Sequence, residues 1–164
     1  MKITCTGLSY RYEGPAGGPL PTISLGKFQV TRMIAGGNPV LGFSHSSPGA
    51  SQNMLDWFTL ERTMEFLQSC ERAGINTWQF DHFPKVVDAL RGVREKGSKL
   101  QFICIHHDKR PATLPQVIAD LHPIALMHHG GVTDALFLEG KSGVVHDFVK
   151  RAHDLGVLAG VSAH

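Results

Sequence analysis

Long apolar runs, paired cysteines and an excess of one charge are all missing from this 164-residue chain. No window reaches the roughly 18 apolar residues that a membrane span needs. The start, MKITCTGLSY, has one lysine but no apolar stretch behind it, so neither a membrane protein nor a secreted one is expected. The three cysteines, Cys5, Cys70 and Cys104, stand far apart with no CxxC, an odd set that reads as reduced thiols in a cytoplasmic protein. A net charge of only +2, with the basic residues scattered, argues against nucleic acid or a membrane surface as partner and leaves a small-molecule substrate in a shaped site. Absent too are a G-x-G-x-x-G loop and the tight HxH or HExxH spacings of familiar cofactor and metal sites.

What is present is enough for one folded domain, with 42% apolar and 18% charged residues. Residues 1–21 hold Gly14, Pro15, Gly17, Gly18, Pro19 and Pro21, which predicts an irregular arm with one short strand at Lys2–Thr6. The domain proper is expected over 22–164. It opens with "TISLGKFQVTRM", two β-prone runs around Gly26 and Lys27 that suit a hairpin. A strand at Met33–Gly36 then enters a long loop, "GGNPVLGFSHSSPGASQN", whose serine-rich part Ser44–Ser51 reads as linker or lid.

From Asp56 onward helices and strands alternate. Helical periodicity with a closing glycine predicts helices over Asp56–Ala73, Pro84–Lys96 and Gly143–Leu155, and a shorter one over Leu114–Leu121. The strands between them are Ile75–Asp81, Leu100–His106, Ile124–His128 and Val157–His164. Uninterrupted alternation predicts an α/β fold with about five parallel strands and helices outside them. An open doubly wound sheet fits the count, but the first βα loop lacks the dinucleotide fingerprint. Polar residues also gather where the strands end, as they do at the active face of a (β/α)8 TIM barrel. Since such a barrel needs roughly 250 residues, the expectation is a partial one.

Two strands finish on histidine pairs, "FICIHHD" and "IALMHH", and the chain carries ten histidines in all. Side chains alternate along a strand, so each of His106/His107 and His128/His129 supplies at most one inward imidazole unless the strand has already ended. Asp81 ends the strand "INTWQFD", on which Thr77, Gln79 and Asp81 form a polar row opposite Trp78 and Phe80. Imidazole and carboxylate donors from several strand ends suit a divalent metal, Zn, Mn or Fe, with Asp81, His107, His128 and His164 as the candidate shell. The same groups equally suit direct acid–base chemistry by Asp81, His106, His107, His128 or His129, or a structural role. His45, in the first βα loop, is a weaker candidate for the same face. His122, His146 and His153 fall in a turn and on the polar side of the last helix, where they are solvated.

The order of motifs resembles the aldo/keto reductase superfamily. "ISLGKFQVTRMIAGG" is similar to the hairpin that plugs the bottom of those barrels, and "CERAGINTWQFD" to the run into that family's catalytic aspartate. "ALMHHGGVTD" resembles its fourth strand with histidine and aspartate, and "AHDLGVLAGVSAH" its fifth. The resemblance runs from about Thr22 to His164 and implies an NADP-dependent oxidoreductase. Asp81 would be the aspartate, His128 or else His129 the histidine, and Ser162 a residue holding the nicotinamide amide. The family's tyrosine is absent from "FDHFPK", His106 or His107 stands in place of its lysine, and its amide-holding asparagine corresponds to Ala163. Ordinary carbonyl reduction therefore lacks its proton donor. The expectation is metal-dependent or histidine-driven isomerase, lyase or hydrolase chemistry on a small polar carbonyl or polyol compound. The alternatives are an oxidoreductase with an altered proton relay and a non-catalytic fragment. An unclosed barrel also predicts pairing of the last strand, in a homo-oligomer or with a missing carboxy-terminal half-barrel.

Overall fold

The computed structural model describes residues 5–6, 9–10, 20–44 and 46–163. Of the expected strand at Lys2–Thr6, the first three residues lie outside this set. Cys5–Thr6 (β1) is a strand and pairs antiparallel with Ser9–Tyr10 (β2).

Thr22–Leu25 (β3) and Phe28–Thr31 (β4) form the antiparallel hairpin, turning at Gly26 with φ +57°, a left-handed conformation that favours glycine. Five parallel strands follow: Ala35–Gly36 (β5), Thr77–Asp81 (β6), Gln101–His106 (β7), Ala125–His128 (β8) and Leu158–Val161 (β9). They pair in the order β5-β6-β7-β8-β9, which is their order in the chain. That straight order, without the reversal of a doubly wound sheet, sets successive helices on one face, because parallel crossovers keep one hand.

The six helices are Pro48–Trp57 (α1), Leu60–Arg72 (α2), Pro84–Glu95 (α3), Leu114–Leu121 (α4), Gly130–Leu138 (α5) and Ser142–Asp154 (α6). Two of them correct the expected loops. α1 grows inside the serine-rich segment, capped by Ser47, whose Oγ accepts from the Ala50 N–H at 3.1 Å, with Pro48 at its first position. It buries no side chain, so it has no apolar stripe by which to be recognised. α5 follows β8 directly in "GGVTDALFL", where two glycines hide the start. The next helix starts at Leu60 rather than Asp56, because Thr59 is its cap. Lys85 then ties this first crossover to the body, donating to the Val40 carbonyl at 2.9 Å and to the Phe58 carbonyl.

The two faces of the parallel sheet differ. On one, Trp78, Phe80, Phe102, Cys104 and Leu126 pack with Leu67, Val86, Leu90, Val117 and Phe148 of the helices into the main core. On the other, Ile103 and Ala125 meet Val30 of β4, with Leu25, Phe28, Met127 and Leu158 around them. The hairpin thus covers the start of this inner face. Asn76, one residue before β6, fixes it there: its Oδ1 accepts from the Thr31 N–H at 2.9 Å and its Nδ2 donates to the Gln29 carbonyl at 2.8 Å. Beyond the hairpin, toward the carboxyl ends of the strands, the inner face opens.

Candidate functional site

Register decides which of the expected residues meet. Trp78 pairs with Phe102 and Cys104 with Leu126, all on the helix side, and His106 pairs with His128 two residues further along. His106 and His128 therefore face the helices, while Asp81, His107 and His129 fall on the inner side. The polar row of β6 faces inward and its aromatic row outward, as the alternation predicts.

On the helix side both histidines are fully buried. The His128 ring stands edge-on to Phe148, centroids 5.0 Å apart, and its Nδ1 lies 2.7 Å from Thr133 Oγ1. That hydroxyl gives its one proton to the His129 carbonyl at 3.0 Å, so His128 Nδ1–H is the donor to Thr133 Oγ1. His82 likewise turns away from the inner face and bonds Asp120 of α4 at 2.8 Å. Asp108 is held by Arg151 at 2.6 and 2.7 Å. None of these four joins Asp81. His128, expected both as the family's histidine and as a metal ligand, belongs to the helix packing. Its pKa, like that of His106, is lowered by burial.

On the inner side three strand ends contribute. Asp81 is 5% exposed and forms an ion pair with Arg110, whose Cζ also lies 4.9 Å over the Phe83 ring. His107 and His129 stand edge-to-face with centroids 5.6 Å apart. Burial pushes the Asp81 carboxyl up, opposed by the charges of Arg110 and His129. Burial, assisted by the nearby Arg110 charge, brings the His107 imidazole down to about 4, so it is neutral at pH 7. The Lys109 N–H donates to His107 Nδ1 at 3.3 Å, which leaves the proton on Nε2. Three buried polar atoms here have no partner among the described residues, Asp81 Oδ1, Arg110 Nε and His129 Nδ1, and His106 Nδ1 on the helix side has none either. Buried groups of this kind are normally satisfied, so three of them on one side of the sheet make this the candidate site.

Arg110 is the residue of this candidate site that the sequence pattern did not single out. A signal was available: a carboxylate on an inward, buried position needs a counter-charge. The loop after β7, "HDKRP", carries two cations, Lys109 and Arg110.

A divalent cation does not fit the described residues. No group of three or more His, Cys, Asp or Glu side chains among them is arranged to hold one, and the Arg110 guanidinium already compensates Asp81. His164 and His45 lie outside the described residues. For NADP the fit is incomplete. Ser162 extends the sheet, its N–H donating to the His128 carbonyl at 3.0 Å, but Ala163 beside it has no polar side chain to hold an amide. Cys70 and Cys104 are free and buried, and burial raises both thiols, which disfavours the thiolate. Among the described residues no helix is long and apolar enough to cross a membrane. Comparison with protein-family models, with curated proteins and with solved structures finds no match.

Proposed function

We propose that the chain is the amino-terminal arc of a TIM barrel of aldo/keto reductase type, working as a histidine acid–base enzyme on a small polar carbonyl or polyol compound. The straight strand order with helices on one face supports the arc. The observation that carries the chemistry is the cluster of Asp81, Arg110, His107 and His129 at consecutive strand ends, with three buried polar atoms left open.

In this reading His107 Nε2–H donates to the substrate carbonyl oxygen. A neutral imidazole is suited to that role because it polarises the carbonyl without itself adding charge. His129 removes the proton from the adjacent carbon, the C–H electron pair passes into a C=C bond, and the carbonyl oxygen takes up a proton to give an enediol. Return of a proton to the other carbon, with collapse of the second hydroxyl to a carbonyl, completes an isomerisation with no net gain or loss of atoms. The Asp81–Arg110 pair orients the hydroxyl beside the carbonyl.

The test is solvent-deuterium incorporation into a hydroxyketone, followed by NMR. Wild-type protein should exchange the carbon-bound hydrogens next to the carbonyl, and His129→Ala should lower the rate by 10²-fold or more. Exchange unaffected by that change would reject the assignment.

A second reading keeps hydride chemistry with NADP. It is favoured by one observation: a cation, Arg110, stands beside Asp81 after the third strand of the parallel sheet, where the resemblance implies a lysine. The ring over Arg110 is Phe83, which has no hydroxyl to serve as the acid. Quenching of NADPH fluorescence at micromolar protein would favour this reading over the first.

A further inference from the structure

Next to the acid–base cluster, on the same inner face, lies a cleft of about 420 Å³. Gln79 and Ile105 of the inner face line it together with Gly36, Gly37 and Asn38, and Phe80 reaches it from the helix side. It adjoins Asp81 directly, since Ile105 is the register partner of Asp81, and Gln79 precedes Asp81 by two residues, roughly 6.6 Å along the strand. We propose that this cleft receives the rest of the substrate, and that the substrate is an uncharged polyhydroxylated carbonyl compound of about four carbons. The inference rests on the acid–base function assigned above.

Two features define that ligand. The first is charge. None of the described residues lining the cleft is ionisable, the Asp81 carboxylate is already compensated by Arg110, and His107 is held neutral. A carboxylate or phosphate on the ligand would meet no counter-charge left over and would lose its hydration. A hydroxyl is suited to the same place, because it can donate to Asp81 Oδ1 and accept from Arg110 Nε. The second is the half-buried Gln79 amide, which lines the cleft. One hydroxyl can satisfy it as donor and as acceptor.

Gly36 keeps the cleft open. It is the register partner of Gln79, and a Cβ built on it meets no atom within 4 Å. A valine there would stand beside the Gln79 amide, in a strand position where β-branched residues are well tolerated. Gly36→Val should therefore fill the cleft without disturbing the fold, which Gly37→Val would not, because a Cβ at Gly37 would lie 2.2 Å from Phe80 Cγ.

The experiment measures binding to the full chain by ligand-observed NMR, with dihydroxyacetone, erythrulose and erythronate as probes. Erythrulose should bind, and erythronate should bind at least about tenfold more weakly. Gly36→Val, with an unchanged melting temperature, should weaken erythrulose about tenfold and leave dihydroxyacetone within about twofold, since the shorter compound stops at Asp81. Gln79→Leu should act in the same direction. Erythrulose failing to bind, erythronate binding as well as erythrulose, or Gly36→Val binding erythrulose like the wild type would each overturn the proposal. Binding in the expected pattern without deuterium exchange would instead remove the acid–base function and leave the cleft. Exchange that survives in Gly36→Val, with erythrulose affinity intact, would remove the cleft and leave the function.

Discussion

The two sides of one parallel sheet use the same residue types for opposite purposes. His106 and His128 face the helices, fully buried, His128 in a hydrogen bond with Thr133 and against the ring of Phe148. Their chain neighbours His107 and His129 face the open side, near each other and near an ion pair. On the helix side Trp78, Phe102 and Leu126 are fully buried. On the other side Gln79, Ile105 and Met127 are only half-buried. The difference teaches that one step along a strand moves a histidine from packing among the helices to a half-buried place beside an ion pair.

Truncations on the two sides break this comparison most directly. Trp78→Ala should destabilise the fold by about 3–5 kcal/mol, the range for emptying a packed aromatic site. Ile105→Ala, on the half-open side, should cost less, about 2 kcal/mol at most, because much of the cavity term is absent there. Urea denaturation of the two variants measures the contrast, and equal losses would mean that the inner face is covered as fully as the outer one.

The histidine pair at 128 and 129 sharpens it. His128→Ala leaves the Thr133 hydroxyl without its donor and a void against Phe148, and should cost about 2 kcal/mol. His129→Ala should stay within about 0.5 kcal/mol of the wild type while deuterium exchange is lost. If stability and exchange were lost together in His128→Ala alone, the two residues would have exchanged roles.

Acid tests the same comparison through charge. His106, His107 and His128 all have pKa values lowered by burial, His107 to about 4 from 6.5. Between those values the unfolded chain binds more protons than the folded one, so their contribution to stability is present above pH 6.5 and is lost as pH falls toward 4. Asp81, raised by burial, acts in the opposite sense, and its unfavourable contribution fades as the carboxyl takes up its proton on acidification. The urea midpoint should therefore drop from pH 7 to pH 4.5, and His107→Ala should flatten that slope. A slope unaltered by the change would show that the His107 imidazole is not held neutral by the fold.

Much of the fold was legible in local pattern. Leu114–Leu121 begins and ends where its periodicity does, and Pro84 and Gly97 bracket α3 as expected. The hairpin turned where Gly26 allowed it. α1 escaped because an exposed helix has no stripe, and its only mark was the Ser47–Pro48 start. The site was half legible. Asp81 and the paired histidines stood out as polar residues at apolar strand ends, yet the choice of His128 over His129 depended on where the ladder ends, which no period reveals.

By itself the sequence determined which residues share a side, because alternation along a strand is a property of the backbone. It determined the order of strands and helices for the same local reason. Only the tertiary structure decided which side was which, since in "HHD" and "MHHG" either histidine is an equally good candidate until helices cover one face. Arg110 reached Asp81 from 29 residues away in the chain. A buried carboxylate requires a counter-charge, but the turn that delivers one takes its shape from the packed strands around it.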